Sequence, residues 1–249
     1  MAAQGYLGAG DLYLNRIVNG IAQGWEGPYE CQKFEIKANS ELKEQTSRGR
    51  SRYGQIVESV PVPKPFDLNI TMTEMNKQGL MLALMGTAAA LTQTSGSLSA
   101  ESITLESGKW IPLSKANLTG PLTVTDSTAA TTYAEGTDYV VNRQLGWVQM
   151  LDTGTITDGE AVKVSGAYLA ITGDMISGAV EPSVRAMFKL DGINFADNLP
   201  NIVTVREAVI SSDAAIDFLA DNFATLPLKG RMKTPAGFSE PFTIEKRNA

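Results

Sequence analysis

Residues 65–72 read PFDLNITM, which sets Phe66, Leu68, Ile70 and Met72 on one side of an extended chain and Asp67, Asn69 and Thr71 on the other. Side chains alternate with a period of two along a strand, so this stretch predicts a β-strand with one buried and one wet face. CQKFEIK (31–37) repeats the pattern, with Phe34 and Ile36 opposed to Lys33, Glu35 and Lys37. In VRAMFKL (184–190), Val184, Ala186, Phe188 and Leu190 oppose Arg185 and Lys189. An antiparallel sheet wetted on one face follows, and with it a mainly β fold class.

The period changes after Met72. TEMNKQGLMLALMG (73–86) carries apolar Met75, Leu82 and Met85, Thr71 and Glu74 stand at capping-box spacing, and Gly86 offers a stop, which together predict the main helix. A shorter helix is expected in SDAAIDFLADNF (212–223), where Ile216, Leu219 and Phe223 share a face and Asp213, Asp217 and Asp221 share another. TQTSGSLSA (92–100) is poor in apolar residues and reads as a linker. Beyond it, ESITL, LTVTD, DYVVN, GWVQML and EAVKVSGAYLA are short β-rich runs separated by glycine turns. The expected organisation is therefore a discontinuous β domain, 1–95 with 171–249, holding an inserted β-rich module, 96–170.

Composition narrows the chemistry. The chain has 249 residues, a formal net charge of -6, one cysteine and no histidine. One good core with a second small module fits that length, since single cores stop growing near roughly 250–300 residues. Without histidine, Ser-His-Asp and Cys-His nucleophiles are excluded and the commonest metal ligand is missing, so neither catalysis nor a cofactor is expected. Cys31 has no internal disulfide partner and reads as a strand or core residue. SELK (40–43) has the S-x-x-K spacing of penicillin-recognising enzymes but lacks their other two motifs. DGINFADN (191–198) lacks Ca²⁺-loop spacing and reads as a turn, and GYLGAGD (5–11) as an amino-terminal arm.

MAAQGYLGAGDLYLN (1–15) has neither a basic start nor a long apolar core, so export is not expected. The apolar run Leu80–Leu91 is shorter than the roughly 18–20 residues a bilayer span requires, so no membrane association is expected either. Residues 96–170 hold eight acidic and four basic side chains, a net -4 of the chain's -6. The acidity is thus concentrated in the insert. Against it stands SELKEQTSRGRSRYGQ (40–55), a glycine-broken basic loop with Lys43, Glu44, Arg48, Arg50, Arg52 and Tyr53. Glu41 and Glu44 interrupt it and stacking aromatics do not alternate along it, which disfavours direct nucleic-acid binding.

Two blocks carry a family resemblance. FEIKANSELKEQTSRGRSRYGQIVESVPVPKPFDLNITMTEMNKQGLMLALMG (34–86) runs as strand, charged loop, strand, Pro-rich turn, strand and helix, and TTYAEGTDYVVNRQLGWVQMLDTGTITDGEAVKVSGAYLAITGDMISG (131–178) contains a Y-x-x-G-T-D-Y segment followed by a G-W-V hairpin. They resemble phage tail tube proteins, the major tail proteins of long non-contractile, siphophage-type tails. The resemblance implies a β-sandwich or barrel-like subunit with a flanking α-helix and with the inserted module, 96–170, on its outer surface. Such subunits form homohexameric rings that stack into the tail tube, the conduit for DNA ejection into the host, within a virion whose tail is assembled in the host cytoplasm. Tape measure, tail tip and tail terminator proteins are the implied partners, and double-stranded DNA passes through the lumen without specific binding.

By the same resemblance the loop 38–53 orders on assembly and reaches an adjacent subunit or ring, and the clustering of Arg48, Arg50 and Arg52 in an otherwise acidic chain adds the expectation that they pair carboxylates there. Lumens of this family are usually negative. Glu35, Asp67 and Glu58, with Lys33 and Lys37 beside them, are the lumen-facing candidates, and packing against the helix is the other use for that face. A related β-rich tail-tip or baseplate ring protein of the same fold is the alternative.

Overall fold

Leu68, Ile70 and Met72 are all buried, together with Val184, Ala186 and Phe188, so the alternation in the sequence is the alternation of the folded strands. The computed structural model describes residues 5–211 and 215–247. In chain order the elements are β1 (Gly8–Val18), β2 (Ile21–Ala22), β3 (Glu26–Tyr29), β4 (Cys31–Thr46), β5 (Ile56–Met72), α1 (Lys77–Ala83), β6 (Thr87–Gln93), β7 (Gly96–Leu105) and β8 (Ile111–Pro112). There follow β9 (Leu118–Asp126), β10 (Thr132–Tyr133), β11 (Tyr139–Asn142), β12 (Trp147–Met150), β13 (Glu160–Tyr168) and β14 (Ile171–Ser177). The chain ends with β15 (Val184–Asn194), β16 (Leu199–Ser211), β17 (Leu226–Met232) and β18 (Phe242–Lys246). The protein is mainly β.

Two compact units divide it: Met1–Ala88 with Ile176–Ala249, and Ala89–Met175. The expected insert, 96–170, lies inside the second. The stretch expected as a linker is strand on both sides of a short break, because Ser and Thr suit an exposed strand face as well as a coil.

In the first unit the sheet runs β2-β1-β15-β16-β17-β5-β4. β3 pairs with β1, while β4, separated from β3 by Glu30 alone, pairs with β5 at the other end of the strand order. The core of this unit holds Leu12, Leu14, Leu68, Ile70, Phe188 and Leu228 among others. β16 serves two neighbours, giving Asn201–Val205 to β18 and Ala208–Ser211 to β17. Phe242 of β18 meets Phe66 of β5 edge to face, with ring centroids 5.2 Å apart. The segment expected as an amino-terminal arm is instead strand from Gly8 onward, paired residue for residue with β15.

The helix is shorter than expected and starts elsewhere. Thr71 still belongs to β5, and the cap is Asn76, whose side chain accepts the Gly79 N–H at 2.8 Å. At the other end Met85, not Gly86, takes the left-handed conformation (φ 48), and the Gly86 N–H bonds back to the Met81 carbonyl. Glycine is needed at 86 for a different reason: a Cβ there would lie 2.5 Å from the Ser177 carbonyl oxygen. The second expected helix is absent from its described part, 215–223, which is turn and irregular chain. Asp213 lies outside the described residues. DGINFADN divides as well: Asp191–Asn194 finish β15, and only 195–198 make the turn.

The second unit has a core of its own around Leu105, Val124, Tyr139, Val148, Val162 and Val164. Its sheets run β10-β9-β13-β7 and β11-β12-β8, and β6 pairs with β14. The Y-x-x-G-T-D-Y segment is structural here. The Tyr133 hydroxyl bonds Glu160, and the Tyr139 hydroxyl donates to the Leu122 carbonyl at 2.9 Å. Asp138 accepts from the Ala134 N–H and from both the N–H and hydroxyl of Thr155, which hold its carboxyl below the usual range. Among the described residues no helix is long and apolar enough to cross a membrane.

Candidate assembly interface

The charged stretch 40–55 is the outer half of a hairpin. β4 and β5 stay paired from Cys31↔Met72 out to Thr46↔Ile56, although β5 meets β17 only through Asp67–Met72. Beyond about Ala38 and Lys64 the ribbon therefore has no sheet neighbour among the described residues. The segment expected as a loop is strand up to Thr46, and the expected Pro-rich turn is the middle of β5. The reason lies in the ladder. Pro61 and Pro63 pair with Leu42 and Ser40, which is possible because proline tolerates a strand when its nitrogen faces away from the partner. These prolines also leave the outer edge of β5 unable to donate to another strand there, so the outer edge of β4 is the open one.

A register shift between Lys37 and Asn39 changes the alternation of β5 relative to the core. Val62, Val60 and Glu58 then stand opposite Glu41, Lys43 and Gln45, while Glu44 pairs with Ser59. Leu42, Ile56, Val57 and Val60 are all exposed. Bare apolar side chains on both faces of a two-stranded ribbon mark a surface awaiting cover, since an isolated hairpin is marginal in water. The tip is ordered by its own backbone: Ser47 N–H donates to the Gln55 carbonyl at 2.7 Å and Gly54 N–H to the Ser47 carbonyl at 2.9 Å. Arg48, Arg50, Arg52 and Tyr53 all project from this turn, and Tyr53 is 78% exposed. Among the described residues no ion pair reaches the three arginines. Lower on the ribbon, Lys64 pairs with Glu41 at 2.7 Å.

The other expected set gathers at the base of the hairpin. Lys33, Glu35, Lys37 and Asp67 share the strand face turned away from the core. Lys33 Nζ lies 2.7 Å from Glu35, and the Asn69 amide donates to Glu35 at 2.9 Å, bonds that hold the Glu35 carboxyl below its usual range. Asp67 accepts from the Asn39 amide at 2.7 Å and lies 3.6 Å from Arg231. Glu58 is not with them; it stands far out on the ribbon opposite Gln45. With Lys229 and Arg231 on the adjoining β17, this face is of mixed sign with a cationic excess.

Two features escaped the reading of the residues. One is the bare apolar set on the ribbon, whose only trace is the broken alternation of QIVESVPVP. The other is the segment 215–225, where Phe218, Leu219 and Phe223 are exposed, although their spacing promised a helix face. Among the described residues no group of three or more metal-ligating side chains converges.

No curated protein matches the chain. A family model described as protein of unknown function UCP028589 matches residues 5–234, nearly the whole length, and the chain belongs to that family.

Proposed function

We propose that the chain is a structural subunit of a phage tail tube, assembling into homohexameric rings that stack around a channel for DNA, and that it is not an enzyme. The observation that carries this reading is the β4–β5 ribbon, which leaves its own sheet and keeps apolar side chains bare on both faces. A ring of copies would cover those faces and use up the open edge of β4, as closure does in any barrel. Burying four half-exposed Leu, Ile and Val side chains contributes roughly 1 kcal/mol each. Association costs at least about 4 kcal/mol in lost freedom. The ribbon alone therefore does not hold two copies together. Ring closure, with several contacts made at once, is required, and a lone subunit waits for a starting surface such as a tail tip.

In the finished virion tail the same rings would meet the tape measure within and the terminator at one end. The resemblance in residues 34–86, which include the ribbon, and in 131–178, which do not, supports the same assignment. Electron microscopy of the purified full chain over a range of concentrations tests it. Long hollow tubes are expected. Closed single rings would instead place the protein at a tail tip or baseplate, and monomers at every concentration would overturn both readings.

A further inference from the structure

Between Ile216, which packs against the first unit's core, and Leu226, which is fully buried, the chain presents Phe218 at 69%, Leu219 at 92% and Phe223 at 101% exposure. Three large apolar side chains bare within six residues have no use in the isolated chain. Asp217 and Asp221 accompany them, and residues 215–225 contain no cation. The arm tip, residues 47–55, is the converse: Arg48, Arg50 and Arg52 with Tyr53, and no anion. Neither side has an ion-pair partner in its own chain among the described residues; Asp217 only accepts the Leu219 N–H at 2.8 Å.

We infer that residues 215–225 of one copy are the dock for the β4–β5 arm tip of another copy. Asp217 and Asp221 would receive the tip arginines, for which charge-assisted bonds to carboxylates are the favoured pairing. Phe218, Leu219 and Phe223 would cover Tyr53 and the apolar residues just below the tip, Ile56 and Val57. A contact between two different patches of one chain is heterologous, so it closes into rings or runs on into filaments rather than stopping at a dimer. This inference rests on the self-assembly part of the proposed function and not on the tube itself.

Two charge-reversed chains test it by sedimentation velocity at about 0.1 M salt, where exposed charges still act over roughly 10 Å. R48E/R50E/R52E and D217R/D221R should each lose association at least about tenfold, because like charges then face each other across the contact. Mixed in equal amounts they should assemble together, since each supplies the charge the other now lacks, and one chain carrying all five changes should assemble alone. Phe223→Ser, which alters a fully exposed side chain, should weaken association while leaving the circular dichroism and melting of the monomer unchanged. Wild-type assembly by D217R/D221R, or failure of the mixture to recover, overturns the dock and leaves a tube seen by microscopy intact. Recovery in a species that microscopy resolves as a single ring keeps the dock and overturns the tube. Monomers throughout overturn both.

Discussion

Arg185 Nε donates to Glu207 Oε1 across 2.7 Å, and the glutamate side chain is only 3% exposed, with Lys233 Nζ 3.4 Å from the same oxygen. Burial by itself would push the Glu207 carboxyl up, but the bond and charge of Arg185, joined by Lys233, outweigh it and hold the group below its usual value. A depressed carboxyl stabilises the fold above its unfolded value, near 4.3, and the contribution is lost as pH falls through the lower folded value. Urea unfolding of the chain should therefore show stability falling with acidification below about pH 4.5. Arg185→Met should cost about 3 kcal/mol at neutral pH, the lower end for breaking a buried pair, because Lys233 remains. The same variant should gain less between pH 3 and pH 6 than the parent.

The helix cap separates two readings of one segment. Asn76→Ala should destabilise the first unit by about 1 kcal/mol, and Asn76→Asp by a few tenths at most, since the aspartate keeps an acceptor for Gly79. Glu74→Gln should change nothing measurable, because Glu74 is not the capping partner its spacing with Thr71 promised. Thermal melts of the three variants decide the point.

Tyr139→Phe removes the donor that satisfies the Leu122 carbonyl, at a place where the β9–β13 ladder loses register and cannot replace it. With the Tyr139 side chain almost fully buried, the loss should be about 1 kcal/mol. Tyr139→Leu should cost more, since it also opens a cavity. Denaturant midpoints of the full chain measure both.

Residues 89–175 carry their own buried cluster and their own sheets. Expressed alone, this segment should unfold cooperatively, with dispersed amide resonances in solution. A chain without a melting transition would show that the second core depends on the first.

Much of the fold was legible in local pattern. Leu68, Ile70 and Met72, and Val184, Ala186 and Phe188, could be assigned to a core because strand alternation is a short-range property that neighbours do not alter. The short strands of 101–168 were equally readable from their glycine turns. The site was legible only as a list. Arg48, Arg50, Arg52 and Tyr53 do share one turn, but nothing local says that the chain on either side is ladder, since Pro61 and Pro63 argue for a break until their partners Ser40 and Leu42 are known. Glu58 shares the sign of Glu35 and Asp67, but the extended chain between Glu58 and Asp67 carries it far out along the ribbon, and only the strand pairing shows that this stretch is extended. For 212–223 a good helical period failed where it could be described, because a period stabilises a helix only if something packs against its apolar face.

By itself, then, the sequence determined the mainly β class, the two-part composition, the absence of a histidine-based site and the identity of the basic cluster, all of which depend on residue type and near-neighbour spacing. Tertiary structure alone decided that β3 and β4 split between two partners, β1 and β5, that the basic cluster crowns a ribbon of paired strands, and that Phe218, Leu219 and Phe223 stay bare. Those outcomes depend on which distant strand takes up each hydrogen-bonding edge and which apolar face finds cover, and pairing between residues far apart in the chain leaves no local trace.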